Sequence, residues 1–372
     1  MQKDDHISSL NVAMCDRRSI LSSALGASFL LHGSALAGPT GTDSARGATG
    51  RVDVHSHFLP GFYRDALADV GLERPDGIAA LPAWSAAGMI AAMDALEIER
   101  AYLSISSPGI HFGDDVSARK LARRVNEEAA RLKTKYPGRI EFFASTPLPD
   151  RDGAVAEITY ALDELGASGI VFESNFGGMY LGNSELEPIY AEINRRNGAL
   201  FIHPTSPRAS CACGHDGHGS GGLRYPAPML EFIFDTTRTI SDMVITGVLD
   251  RHPAMKVIVP HAGAALSILA GRIDLVGPML SKPDAPVPPS IRSAMSRLYF
   301  DLAGSPVPEQ LAALLSVATS DHLLYGSDWP FTPTTTCITL ARALDNTPLL
   351  RGGLHAKIMR ANAKRLFDSN TD

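Results

Sequence analysis

The chain has 372 residues, 45% of them hydrophobic, ample for one large domain. Its 34 Lys and Arg are scattered among 40 Asp and Glu for a net charge of −6, and with no basic stripe or nucleic-acid motif this speaks against a nucleic-acid partner. Four cysteines, Cys15, Cys211, Cys213 and Cys337, give no disulfide framework.

The N-terminal segment differs from the rest. Arg17-Arg18 precede an apolar stretch from Ala24 to Leu31, and Ala35-Leu36-Ala37 has the small-residue spacing of a cleavage site. Residues 1–37 therefore resemble a twin-arginine export signal, which predicts a periplasmic or secreted protein; without it the chain would be cytoplasmic. An apolar tail, or sequence upstream of a start at Met14, is the competing account. The stretch is too short for a membrane span. Residues 38–50, rich in Gly, Thr and Ala, read as a flexible leader.

From residue 51 to 370, apolar runs bounded by Gly and Pro alternate with stretches of helical periodicity, as repeated βα units require. Strand one runs from Arg51 to His55, and Ala86 to Leu96 has amphipathic helix spacing. Arg100 to Ser106 is strand two, followed by a helix from Val116 to Lys135 that stops before Pro137-Gly138. Arg139 to Ser145 is strand three, with a helix from Gly153 to Leu165. Gly169 to Glu173 is strand four, with a helix from Glu185 to Arg196. Strand five ends at His203, strand six at His261, strand seven near Asp301 and strand eight at Asp328. Eight such strands predict an α/β fold, a (β/α)8 TIM barrel of about 250 residues or more.

In such a barrel the strand C-termini converge on one mouth, where the chemistry is done. His55 and His57 end strand one two residues apart and so face one side. His203, His261 and Asp328 end three further strands. Imidazoles and a carboxylate meeting at one mouth make a site for one or two divalent metal ions. His261 also fits a cap on a helix starting at Ala262, and Asp328 an N-cap, although Pro330 and Pro333 delay any helix there. Asp301 has no assigned partner. Glu173 ends strand four as a candidate support or substrate contact. The Cys211–His218 loop lacks the spacing of a closed zinc site and reads as a variable loop.

The motifs Val52-Asp53-Val54-His55-Ser56-His57-Phe58-Leu59-Pro60, Phe201-Ile202-His203-Pro204, Val259-Pro260-His261-Ala262-Gly263 and Tyr325-Gly326-Ser327-Asp328-Trp329-Pro330-Phe331 resemble the amidohydrolase superfamily. More narrowly they resemble its aminocarboxymuconate-semialdehyde decarboxylase-like branch. The stretches at 62–67, 143–149 and 234–238 are most similar to the 6-methylsalicylate decarboxylases within it. The resemblance covers about residues 51 to 368. It implies that His55, His57, His203 and Asp328 ligate one metal, Zn²⁺ with Mn²⁺ as the alternative, and that His261 is catalytic. Strand four carries no Lys to bridge a second ion, which agrees.

The implied reaction is non-oxidative decarboxylation of a small aromatic or unsaturated carboxylic acid, with Asp328 and His261 as candidate acids. Arg238 and Arg64 are candidates to hold the substrate carboxylate, because a guanidinium matches its two oxygens. The competing activity is hydrolysis of an amide, ester or lactone by a metal-activated water; a metal-binding protein without activity is a third reading. Relatives of this branch suggest a homodimer. Two departures stand out: Ala264-Ala265 replace glycines expected after His261, and Glu173 occupies a position more often apolar or small.

Overall fold

The computed structural model describes residues 50–207, 224–282, 284 and 286–368. The expected export signal, nearly all of the leader and the Cys211–His218 loop lie outside the described residues.

Eight parallel strands follow one another around the sheet: β1 (Arg51–His57), β2 (Ile98–Ser104), β3 (Ile140–Ala144), β4 (Gly169–Glu173), β5 (Ala199–His203), β6 (Lys256–Val259), β7 (Tyr299–Asp301) and β8 (Leu323–Leu324). The barrel closes where β1 meets the chain after β8. Val54 N donates to Tyr325 O at 3.0 Å and His57 N to Trp329 O at 2.7 Å, with bridges at Asp53–Tyr325 and Ser56–Trp329. β8 is shorter than expected because regular pairing stops at Leu324, and Asp328 sits in the irregular segment beyond.

Some of the helices between the strands begin where the sequence places acceptors. Asp114 accepts from Ser117 N ahead of the Asp115–Lys135 helix, and Asp150 from Gly153 N ahead of Arg151–Asp163. Their apolar faces bury against the outside of the sheet. Inside the barrel, Val52, Val54, Tyr102, Phe143, Val171, Phe201, Ile258 and Leu324 form a second core. The Asn362–Asp368 helix plugs its lower end, where Phe367 stacks on Tyr102 at 4.3 Å. The described interior below the mouth is therefore filled by side chains, and the strand C-termini at the upper end carry the candidate chemistry.

One irregularity sets the site. Val52 and Val54 point into the barrel, so strict alternation would turn His55 and His57 outward. The β1–β2 register instead slips between Asp53 and Ser56: Asp53 pairs with Ala101 and Ser56 with Leu103, so β1 carries one extra residue. This bulge reverses the alternation and turns both imidazoles inward.

Candidate metal centre and active site

His55, His57, His203 and Asp328 each offer a ligand atom, and the four atoms lie within 4.8 Å of one another. Asp328 Oδ1 is 3.5 Å from His55 Nε2 and 3.2 Å from His57 Nε2. Ligands at 2.0–2.2 Å in a tetrahedral site stand roughly 3.4 Å apart, so these separations fit a shared ion. Both Nε2 atoms are buried and have no hydrogen-bond partner in the protein. Buried polar atoms without partners are costly, and a cation would satisfy them together.

The other ring nitrogens are tied down. His55 Nδ1 lies 3.0 Å from Asp301 Oδ2, and His57 Nδ1 lies 3.0 Å from Ser104 Oγ. With the proton on Nδ1 in each case, Nε2 presents its lone pair to the metal position. Asp301 is wholly buried and also accepts from the backbone N–H of His261 (3.1 Å) and of Ala303 (3.0 Å) through Oδ1. One carboxylate thus orients a metal ligand and anchors the turn that carries His261. Gly326 is required beside it: a Cβ there would stand 2.8 Å from His55 Cβ.

The electrostatics favour a cation. Burial alone would depress His55, but the charge and hydrogen bond of Asp301, with Asp328 and Asp53, push it up to about 9. Burial holds His57 below its usual value, and holds His203 well below, helped by His57 and His55. Burial would raise Asp328, yet the neighbouring imidazoles of His261, His57 and His55 outweigh it and keep the carboxyl well below its ordinary range. Two neutral imidazoles and an ionised carboxylate stand ready, and a metal needs to displace only the proton on His55.

His261 faces the same point from β6. Its Nε2 is 4.0 Å from Asp328 Oδ2, the oxygen turned away from the other two imidazoles. It heads a tight turn at residues 261–263 rather than a helix, the next helix beginning at Leu266, so the capping role does not apply. Asp328 caps no helix either, since the next one starts at Thr334. His261 and Asp328 both have positive φ, +53° and +58°, unusual for residues with a Cβ and a form of strain that clusters at functional sites.

His203, His261 and Asp328 open into a cavity of about 290 Å³. Ile78, Met229, Phe232, Ile233 and Phe331 form its apolar wall, and Asp76, Ser106, Ser107, Ser305 and Gln310 its polar part. No Lys or Arg lines it among the described residues. Arg64 and Arg238 are therefore not brought to the metal. Arg64 donates to Pro82 O at 2.7 Å, bracing a surface loop. Arg238 is half exposed on the outer helix Glu231–Ile245, 3.7 Å from Asp235. That Asp235 explains the 234–238 motif structurally: it accepts from Ser174 Oγ, Asn175 Nδ2 (2.8 Å) and the Tyr180 hydroxyl (2.6 Å), tying the loop after β4 to this helix. Glu173 is buried with Oε2 3.5 Å from His203 Nδ1, and it lines an adjoining cavity of about 530 Å³. Burial and then Asp76 push its carboxyl well up. The two cavities meet at the Ser107–Thr205 hydrogen bond of 2.6 Å.

Fold and site together define a (β/α)8 barrel with a metal-binding mouth. The family model described as amidohydrolase matches residues 52–368, and the chain belongs to that family. A 6-methylsalicylic acid decarboxylase of Aspergillus aculeatus is 33% identical over 326 residues, 85% of this chain and 96% of that one. A gamma-resorcylate decarboxylase of Rhizobium is 27% identical, covering 74% of this chain and 84% of its own. Among solved structures, an amidohydrolase II is 34% identical with a TM-score of 0.78, over 86% of this chain and all of the other. A dihydroxybenzoic acid decarboxylase from Polaromonas with bound manganese shares the fold, at 24% identity and a TM-score of 0.73 over 87% of this chain and 98% of its own.

Proposed function

We propose that the protein is a metal-dependent, non-oxidative decarboxylase of a small aromatic acid carrying a hydroxyl next to the carboxylate. The observation that carries this reading is a cavity in which a four-donor centre faces an aromatic, largely apolar wall with no Lys or Arg among the described lining residues. Among the described residues, a carboxylate entering it finds its counter-charge at the metal end. An adjacent hydroxyl would present a second oxygen to the same end. One divalent ion there supplies Lewis-acid and template chemistry.

The chain's own residues do the rest. Phe232 and Phe331 confine the ring. His261 Nε2 and Asp328 Oδ2, 4.0 Å apart, are the two groups placed to deliver the proton that the ring carbon takes up. The carbon–carbon bond to the carboxylate breaks, CO₂ leaves, and the electron pair forms the new C–H bond. The described walls, without Lys or Arg, leave the departing CO₂ no charged partner to linger on.

Three imidazoles favour Zn²⁺; Mn²⁺, the ion of the Polaromonas neighbour, is the alternative, and elemental analysis of the purified protein decides. A second copy of the chain covers the exposed apolar stripe of the Leu266–Leu280 helix, where Ile268, Leu275 and Met279 are about 70% exposed. Sedimentation tests that homodimer. Export through the 1–37 segment is tested by cell fractionation. The activity is tested by CO₂ release from 6-methylsalicylate and 2,6-dihydroxybenzoate beside a panel of amides, esters and lactones. Release from the acids is expected; hydrolysis of the second panel with the acids untouched would replace this reading by the hydrolase.

A further inference from the structure

The His261 imidazole is aimed by its backbone rather than by a side-chain bond. Its Nδ1 is buried without a hydrogen-bond partner, and its Nε2 is 4.0 Å from Asp328. The backbone that aims it is strained. His261, Ala262 and Ala264 all have positive φ (+53°, +54° and +55°), with ψ −127° at Ala264. Such a turn persists only where its surroundings over-determine it. Its entry is held by Asp301, which accepts from His261 N at 3.1 Å. Two of its carbonyls are tied by one side chain: Gln310 Nε2 donates to His261 O at 2.6 Å, which also accepts from Ala264 N, and to Ala264 O at 3.0 Å. Two carbonyl acceptors require the amide nitrogen on this side, which fixes how Gln310 is turned. Gln310 is anchored in turn by the Glu309–Leu315 helix, whose Leu311 and Leu314 are buried.

We propose that Gln310 is a positioning residue for His261, clamping both ends of the left-handed turn so that the imidazole faces Asp328 and the substrate. This rests on the reading that His261 works in the reaction. Unlike Asp301, Gln310 touches no metal ligand in these contacts, so its loss separates aim from metal binding.

Gln310→Met removes both donations at similar length. Gln310→Glu keeps the shape but turns a carboxylate towards two carbonyls, and supplies the same test where the Met variant does not fold. Both are expected to lower kcat about 10- to 100-fold, the scale of a small misplacement of a reacting group, with KM within about twofold and metal content unchanged. Hydrogen exchange at Gly263 and Ala264 rises in both. In a His261→Ala background Gln310→Met causes no further loss, because nothing is left to position. Wild-type kcat in the Gln310 variants, or losses that multiply in the double variant, would overturn the proposal. Full activity in His261→Ala alone would instead overturn the reading beneath it.

Discussion

The two ends of the cavity are built by different means. At the metal end, His55 and His57 stand on β1 and His203 on β5, all within 2% of full burial, with Asp301 and Ser104 on further strands fixing two of the rings. At the substrate end, Asp76, Ile78, Met229 and Ser305 come from loops and short turns, and Met229 is 75% exposed. Strand-borne ligands are held by the sheet and by each other, which suits a centre that must keep its geometry. Loop-borne walls can change without disturbing it. The reaction type belongs to the first region and the choice of acid to the second.

Substitutions at the metal end should separate two functions within it. His203→Ala is expected to strip the metal and with it all activity. His261→Ala is expected to retain one metal per chain while losing about 10²- to 10⁴-fold in turnover, the range for a removed acid–base group. Elemental analysis beside turnover checks both; activity retained in His261→Ala would remove it from the chemistry. A smaller effect is expected one shell out. Asp301→Asn loses the charge and one of its two acceptor oxygens, so that either His55 Nδ1 or the backbone N–H groups of His261 and Ala303 face an NH2, and it should weaken metal affinity about 10- to 100-fold, as read by competition with a chelator.

Proton linkage sharpens the contrast further. With His55 pushed up to about 9, the metal-free protein carries a proton there at neutral pH, and the metal must expel it. Affinity should therefore keep rising about tenfold per unit from pH 7 towards 9. Calorimetry in buffers of different ionisation heats should find close to one proton released per ion at pH 7.5; release of none would mean His55 is already neutral. The smallest effects belong outside both regions. Arg238→Ala should leave kcat/KM within about twofold, while Arg64→Ala should cost only the stability of one hydrogen bond, about 0.5–1.5 kcal/mol.

The residues with the clearest sequence signal were those whose position along a strand determines their place in space. Histidines and an aspartate at four strand ends meet because a barrel brings strand ends together. What carried no local mark was long-range pairing. Asp301 lies 246 residues from His55, and nothing in its own segment names that partner. Simple alternation put His55 and His57 on one face correctly, but not on the inner face; the bulge in β1 did that, and a bulge is a property of two paired strands. Arg64 and Arg238 have the chemistry to hold a carboxylate but no positional signal, and the helices that carry them turn one to Pro82 and the other to the outer surface. Gln310 has no motif at all. Its role comes from a strained turn that only three-dimensional structure reveals.

The central claim is that one ion in this mouth turns an aromatic acid over to CO₂. The most direct measurement starts from chelator-treated protein and titrates the metal back in with 6-methylsalicylate or 2,6-dihydroxybenzoate present, following CO₂ release. Activity that climbs from zero and saturates at one ion per chain is the predicted result. Saturation at two ions, or CO₂ release that ignores the metal, would contradict it.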